Sequence, residues 1–210
     1  LWTFGYNFHD FMIRVTRVND GLLDRLSYFA AYHHVTLEAG TLPIEKEGIV
    51  KNTGLLFGPD GRIQAHYSKR HLFYGYLEAQ LMAPGTHLMD TAIGGVRTGM
   101  AVCYEFYFPK MWRKMAKAGT TLVLAPASWP RVHLSQWDVR TRARAIENGM
   151  GICAVHMVGT YHGVQLGGHS RFIDPVGNLE VEGDLEEHIY YANYVEVKYK
   201  NLGKQLGVIR

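Results

Sequence analysis

The chain alternates short apolar segments, typical of β-strands, with amphipathic segments, typical of helices. This alternation limits the possible fold more than any other feature of the sequence. Helical spacing of apolar residues predicts helices over residues 20–33, 110–118 and 134–148. Apolar runs between them predict strands over residues 35–39, 121–125, 152–158 and 190–197. The pattern therefore predicts an α/β protein.

Two hairpins interrupt this alternation. Residues 52–57 and 62–67 flank the turn sequence Gly58-Pro-Asp-Gly61, and residues 171–179 have the same character around Asp174-Pro-Val-Gly177. Pro and Asp before Gly favour a tight turn. Hairpins add antiparallel pairs, so we expect mixed sheets rather than purely parallel ones. No repeat, low-complexity segment or linker divides the chain, and we expect a single domain over residues 1–210.

Composition excludes several classes of function. Hydrophobic residues make up 47% and charged residues 20% of the 210 residues, and the net charge is +3. No run of Lys and Arg is long enough for a nucleic-acid surface, so we expect no nucleic-acid partner. No apolar stretch has the length of a membrane span, and the first residues lack the pattern of a signal peptide. We therefore predict a cytoplasmic protein without a membrane partner, whose two cysteines are free thiols.

Cys103 is the residue with the clearest chemical potential. It ends the apolar run Gly99-Met-Ala-Val102, and Pro109 then opens a predicted helix. A strand that meets a sharp turn exposes its last side chain, and the following helix presents its positive N-terminal end. Such a field favours the reactive thiolate. The alternative is a buried cysteine that behaves as a small hydrophobic residue.

A cysteine nucleophile needs a base and a donor for the developing oxyanion. Lys69 follows the second strand of the first hairpin, and Glu78 lies nine residues further along the chain. Taken alone, Lys69 reads as a surface lysine and Glu78 as a solvated carboxylate. His71 is a further candidate for a Cys–His pair, although nothing in the sequence sets its distance to Cys103.

These residues stand within a series of motifs that resembles the nitrilase superfamily of carbon–nitrogen hydrolases. The motifs follow the family's order over nearly the whole chain. They are Asn52-Thr53, Phe57 to Gly61, Tyr67 to Phe73, Glu78, Pro84-Gly85, Val102 to Pro109, Pro126 to Pro130, Arg142 to Asn148, Val158-Gly159 and Gly168 to Gly177.

The resemblance implies an α-β-β-α sandwich and a Glu–Lys–Cys site. It assigns Cys103 as the nucleophile, Lys69 as the group that stabilises the oxyanion, and Glu78 as a carboxylate that orients the substrate or Lys69. Further candidates for the oxyanion and substrate pocket are the Tyr104 backbone N–H, Glu105 and Trp129, although an aromatic residue such as Trp129 can equally belong to the core. No metal or organic cofactor is implied, and histidine spacing predicts no metal site.

The implied reaction is hydrolysis of a small linear amide to an acid and ammonia through a Cys103 thioester. Two alternatives remain open: hydrolysis of a nitrile, and a non-catalytic homologue that serves as a binding or assembly subunit. Glu105 after the Cys-aromatic pair leans toward nitrilases, whereas the segment Lys69 to Phe73 resembles the ω-amidase branch. We expect a homodimer or a higher homo-oligomer, by analogy with the family.

The family's general base is a glutamate in a Pro-Glu pair just before the segment that begins here at Leu1, so the sequence starts one residue too late to contain it. The strand and helix that normally precede that glutamate are also absent. We expect a longer protein to supply them; a deliberate fragment and a degenerate homologue are the alternatives. Glu38, Glu45 and Glu47 do not qualify as substitutes, because the pattern puts them around a strand end and an exposed loop.

The sequence also departs from the family pattern at His156, where the family usually has Asn.

Overall fold

A computed structural model describes residues 1–3, 5, 15–17, 21–195, 199, 202–205 and 207. Contacts between Cα atoms divide the chain into two compact units, residues 1–91 and residues 92–210. Each unit is described by itself below.

The first unit contains a four-stranded mixed sheet. Its elements are β1 (Thr16–Arg17), α1 (Gly21–His33), β2 (Leu37–Lys46), β3 (Ile49–Phe57), β4 (Ile63–Ser68) and α2 (Glu78–Leu81). The strand order is β1-β2-β3-β4. The β1 strand runs parallel to β2, and β2 pairs antiparallel with β3. Strands β3 and β4 form the antiparallel hairpin that the turn motif predicts.

Helix α1 packs on this sheet through the apolar stripe that its sequence predicts. Leu23 and Ala30 are buried on the helix, and they cluster with Leu42, Leu55 and Phe57 of β2 and β3. These residues recur at helical spacing in α1 and at strand spacing in the sheet, so one face of each element leaves water. The prediction of a helix ending at His33 is confirmed.

The end predicted for the first strand is wrong. Gly40 was expected to close it, but β2 continues to Lys46 and pairs with β3 across an irregularity between Glu38 and Thr41. Gly40 has φ +66°, a left-handed conformation that glycine adopts without steric cost, so the backbone bends there without leaving the sheet. Glu45 consequently lies in β2 rather than in a loop.

The second unit alternates strands and helices. Its elements are β5 (Thr91–Ile93), in which the boundary between the units falls, β6 (Val96–Met100), a 3-10 helix (Cys103–Tyr107), α3 (Pro109–Lys117), β7 (Leu122–Ala127), a 3-10 helix (Arg131–His133), α4 (Leu134–Asn148), β8 (Gly151–His156), β9 (Thr160–Tyr161), β10 (Val164–Gln165), β11 (Arg171–Ile173), β12 (Leu179–Glu182) and α5 (Leu202–Gln205).

Its main sheet has the order β12-β11-β8-β7-β6-β5. Strands β6, β7 and β8 run parallel, and the connections between them contain α3 and α4. The hairpin of β11 and β12 then adds antiparallel strands beside β8. The predicted α/β class with mixed sheets is therefore confirmed.

Large aromatic side chains fill the core of the second unit. Trp112 on α3, Trp137 on α4 and Phe106 are fully buried, and the Phe106 ring lies 4.7 Å from that of Trp112 and 5.3 Å from that of Trp137. Helix α4 has the predicted bounds and ends at Gly149, whose φ of +61° suits a residue without a Cβ.

Two strand predictions in this unit need correction. Pro126 was expected to end its strand, yet β7 runs to Ala127 and Pro126 pairs in register with Val155. Residues 190–195 of the predicted closing strand form no strand, and residues 196–197 lie outside the described residues. Tyr191 is exposed, while the Tyr194 hydroxyl donates a hydrogen bond to the Thr121 carbonyl. Side chains rather than a strand ladder thus attach this segment.

Within the described residues, no helix is long and apolar enough to cross a lipid bilayer. The prediction of a single domain over residues 1–210 stays a prediction, since two compact units can belong to one domain.

The pH dependence of stability tests the burial of the Glu38 carboxyl group in the first unit. Its Oε1 atom is buried without a hydrogen-bond partner among the described residues. Burial raises the pKa of Glu38 to about 7, against a smaller opposite effect of the Gly40 backbone. The folded state therefore binds the proton of the Glu38 carboxyl group more tightly than the unfolded state does. The stability that this protonated group contributes is complete below about pH 4.5 and is lost as pH rises through about 7.

We therefore expect Glu38→Gln to gain stability relative to the parent protein as pH rises. Between pH 5 and pH 8.5 the difference in unfolding free energy should grow by about 2–3 kcal/mol. Urea unfolding of both proteins at the two pH values measures it. A difference that does not change with pH would contradict the burial of this carboxyl group.

Candidate active site

Cys103 lies just beyond the end of a central parallel strand. Strand β6 ends at Met100, and Cys103 begins the 3-10 helix three residues later. Its φ is +48°, an uncommon backbone conformation for a residue with a side chain. Helix α3 begins at Pro109, as the sequence predicts, and a short 3-10 helix stands between the thiol and α3.

The carboxyl ends of three adjacent parallel strands meet at this position. Cys103 follows β6, Ser128 and Trp129 follow β7, and His156 is the last residue of β8. Parallel strands bring their carboxyl ends to one edge of a sheet, where α/β proteins commonly bind ligands. Residues far apart in the sequence are thereby grouped around the thiol.

A chain of hydrogen bonds runs along this edge. The Cys103 thiol donates to the Ser128 carbonyl at 3.7 Å. The Trp129 backbone N–H donates to Nε2 of His156 at 2.7 Å, and Nδ1 of His156 lies 2.8 Å from the Met157 carbonyl. Burial lowers the pKa of His156 to about 4, so the ring is neutral near pH 7.

The turn that carries Cys103 is fixed at several backbone atoms. Glu105 is fully buried, and its carboxylate accepts a hydrogen bond from the Val102 N–H at 2.8 Å. The Glu105 carbonyl accepts from the Trp112 indole, and the Phe106 carbonyl accepts from Nε and Nη2 of Arg144. Helices α3 and α4 therefore hold the turn in place.

Aromatic side chains form a layer beside this turn. The Tyr107 ring stacks on Trp129 with centroids 5.5 Å apart and contacts Tyr104 at 5.2 Å. The Arg140 guanidinium lies over the Tyr107 ring, 3.6 Å from its centroid. The Tyr107 hydroxyl donates to Gln136. This layer is built largely by α4 and the 3-10 turn.

In the first unit, Lys69 and Glu78 form a buried ion pair. The distance from Lys69 Nζ to Glu78 Oε2 is 2.7 Å, and the side chains are 3% and 5% exposed. The Phe73 N–H donates to the same carboxylate oxygen at 2.7 Å, and the Asn52 amide donates to Oε1 at 2.6 Å. A buried charge pair needs such additional partners to offset its desolvation.

The backbone positions Lys69 through two neighbours. Its N–H donates to the Asn52 carbonyl, and its carbonyl accepts from the Gly85 N–H, both at 2.8 Å. A Cβ at Gly85 would lie 1.9 Å from the Ser68 carbonyl oxygen, so only glycine fits there. The Pro84-Gly85 motif thus allows two chain segments to approach closely beside Lys69.

Ionisation of Glu78 follows from these contacts. Burial acts to raise the pKa of Glu78, but the Lys69 charge and the hydrogen bonds from Lys69, Asn52 and Phe73 outweigh it and lower the pKa. Glu78 is therefore a carboxylate near neutral pH, bound to a lysine ammonium.

One group of metal-ligand residues occurs among the described residues. Asp138, His169 and Glu182 come from α4, the loop before β11 and β12, and their ligand atoms lie within 4.8 Å of one another. No sequence motif indicated this cluster, since its members belong to separate elements. The Arg171 guanidinium bonds Asp138 and Glu182 through Nη2, so a cation already lies among the three residues.

The structure brings some of the predicted site residues together. Lys69 and Glu78 are paired in the first unit, whereas Cys103, Tyr104, Glu105 and Trp129 belong to the second unit. Their roles in the oxyanion and substrate pocket stay predictions. Buried Glu105 holds the backbone of the nucleophile turn, which adds a positioning contact to its predicted place in the pocket.

The contacts of two side chains, those of Asn52 and His156, were not predicted from the sequence. Asn52 was only part of a motif, although an Asn within a strand is unfavourable enough to indicate a specific role. His156 was seen as a departure from the family pattern, but nothing in the sequence indicated that its ring would bond the backbone of Trp129.

Comparison with known proteins identifies relatives of this chain. The family model described as carbon-nitrogen hydrolase matches residues 1–196. A 2-oxoglutaramate amidase of Paenarthrobacter nicotinovorans is 34% identical over 167 residues, which is 77% of this chain and 57% of that protein. The chain thus spans little more than half the length of this curated relative.

Solved structures show the same fold. A carbon–nitrogen hydrolase superfamily protein of Xanthomonas campestris superposes with a TM-score of 0.91 at 25% identity, covering 98% of this chain and 79% of its own. A mutant amidase of Nesterenkonia sp. AN1 has a TM-score of 0.74 at 30% identity, covering 80% and 64%. That mutant carries the acetamide moiety of fluoroacetamide on its active-site cysteine.

Three observations define the class of protein. They are the α/β fold, the residues grouped around Cys103 at the carboxyl ends of parallel strands, and these matches. The chain belongs to the carbon–nitrogen hydrolase family, within the nitrilase superfamily.

Proposed function

We propose that this chain belongs to an enzyme that hydrolyses the C–N bond of a small linear amide, with Cys103 as the nucleophile. The observation that carries the proposal is the placement of a free thiol in a fixed, left-handed turn at the carboxyl end of a central parallel strand. A nucleophile held in one geometry reacts without first being ordered. Family membership supplies the reaction class.

The chemistry proceeds in two halves. The Cys103 thiolate attacks the amide carbon and gives a tetrahedral adduct, whose negative charge the Lys69 ammonium and the Tyr104 N–H stabilise. The C–N bond breaks as the nitrogen takes up the proton that the Cys103 thiol gave up, ammonia leaves, and a thioester remains on Cys103. Water then hydrolyses the thioester to the acid, with proton transfer assigned to the glutamate base that the family resemblance implies.

Glu78 has a defined part in this proposal. Its Oε2 atom lies 2.7 Å from Lys69 Nζ, and its carboxylate is itself fixed by Asn52 and the Phe73 N–H. An ammonium that is already ordered stabilises an oxyanion better than one on a freely rotating chain. Lys69 and Glu78 therefore act as one preformed unit.

The relative from Paenarthrobacter nicotinovorans, named a 2-oxoglutaramate amidase, indicates the substrate class. We propose an amide at the end of a short chain that carries an acid group, and ammonia as the second product. Cytoplasmic location and a homodimeric or larger assembly stay predictions.

A substrate panel tests the proposal. The complete protein should release ammonia from ω-amides of short 2-oxo acids faster than from N-carbamoyl compounds or aliphatic nitriles. Faster release from nitriles would instead establish the nitrilase alternative. Absence of any turnover, together with no covalent adduct, would favour the non-catalytic alternative.

A further inference from the structure

His156 is linked to the proposed nucleophile through the backbone of Ser128 and Trp129, and its contacts give it a defined orientation. The Trp129 backbone N–H can only donate, so Nε2 of His156 must accept this 2.7 Å bond. Nδ1 then carries the ring proton and donates to the Met157 carbonyl at 2.8 Å. Backbone groups on both sides therefore select one tautomer of the ring.

Burial keeps the ring in that state. His156 is 5% exposed, and the Trp137 ring packs on it with centroids 4.9 Å apart. Burial lowers the pKa of His156 to about 4; the hydrogen bond to the Met157 carbonyl opposes this shift, and the nearby Arg171 and His169 add smaller contributions to it. A protonated ring would donate from Nε2 and repel the Trp129 N–H, so neutrality is required for this contact.

The contact reaches Cys103 through a single peptide group. The N–H of Trp129 and the carbonyl of Ser128 belong to one planar trans unit, in which they point in opposite directions. Fixing the N–H direction with His156 therefore fixes the direction of the carbonyl. That carbonyl accepts the hydrogen bond from the Cys103 thiol at 3.7 Å.

We infer that the neutral imidazole of His156 is a positioning residue for the Cys103 nucleophile, acting through the Ser128–Trp129 peptide plane. This inference rests on the proposed function of Cys103. A peptide plane without the imidazole acceptor is free to rotate, and the thiol then loses the partner that orients its sulfur. The effect falls on attack rather than on substrate binding.

The test removes the hydrogen-bond acceptor, Nε2 of His156, while keeping a side chain of similar volume. In His156→Leu the Trp129 N–H has no partner at this position, and we expect kcat for the amide to fall by about 10- to 100-fold with KM within about twofold. His156→Gln offers Oε1 as an acceptor and should keep kcat within about threefold of the parent. His66→Leu, at an exposed histidine of β4, is the matched control.

A second readout does not depend on amide turnover. The rate at which iodoacetamide alkylates Cys103, followed by peptide mass between pH 6 and pH 9, should have a shifted pH profile in His156→Leu and an unchanged one in His156→Gln. If the leucine variant does not fold, His156→Met, with only a weak sulfur acceptor, replaces it.

The outcomes separate this inference from the proposed function. Parent-like kcat and alkylation in the leucine or methionine variant would overturn the role of His156, as would equal losses in the glutamine variant. If the parent protein hydrolyses no amide, the proposed function fails, and the alkylation profiles alone then decide whether His156 orients the thiol.

Discussion

Replacing Cys103 with alanine should reduce amide hydrolysis by at least about 10⁴-fold in the complete protein, because no other group in the proposal can form the thioester. Alanine tolerates the Cys103 backbone about as well as cysteine does, and the side-chain hydrogen bond lost among the described residues is the weak one to the Ser128 carbonyl. The unfolding free energy should therefore change by no more than about 1 kcal/mol. Ammonia release and urea unfolding measure the two effects.

Cys153 provides the matched control, since it is the second of the two cysteines and lies in β8. Cys153→Ala removes a thiol of the same size and should leave kcat within about twofold. Turnover that survives in Cys103→Ala, or that disappears equally in both variants, would remove the basis for the proposed nucleophile.

Breaking the Lys69–Glu78 pair should give the largest loss of stability. Both side chains are almost fully buried, so Lys69→Met leaves the Glu78 carboxylate buried without its cation. Removing one partner of a buried pair costs about 3–5 kcal/mol, more than replacing both partners. We expect urea unfolding to show this loss in Lys69→Met. The double variant Lys69→Met with Glu78→Gln should lose less free energy of unfolding per replaced residue.

The difference between single and double variants gives the coupling energy of the pair. Lys46→Met serves as the control, because Lys46 is exposed and its replacement should change stability by less than about 0.5 kcal/mol. The pair's contribution is present above the ordinary pKa of a glutamate and is lost as pH falls through the lowered pKa of Glu78. Additive single-variant losses would show that the two charges do not stabilise one another.

Much of the fold could be predicted because local signals agreed with the final structure. The leucine spacing of α1, the turn Gly58-Pro-Asp-Gly61 and the Gly149 cap of α4 each fix a local conformation. Prediction failed where tertiary contacts override such signals. Gly40 and Pro126 are read as strand ends, yet pairing with β3 and β8 carries both strands past them.

The same distinction applies to the candidate site. Residue types at motif positions made Cys103, Lys69 and Glu78 candidates, since reactive or paired groups recur at these places in the family pattern. The partners that hold them, such as the His156 ring at Trp129 and the Asn52 amide at Glu78, depend on strand register and cannot be read from spacing. Backbone hydrogen bonds likewise gave Glu105 its contact with Val102.

Labelling with fluoroacetamide tests the central claim, that Cys103 is the nucleophile, most directly. The Cys103 thiol should lose its proton to solvent, and the resulting thiolate should displace fluoride and form an S–C bond, leaving one acetamide group on each molecule. Peptide mass should locate that group on Cys103, and residual amide hydrolysis should fall in proportion to the labelled fraction. Full activity in protein labelled at Cys103, or loss of activity with the label at another residue, would contradict the assignment.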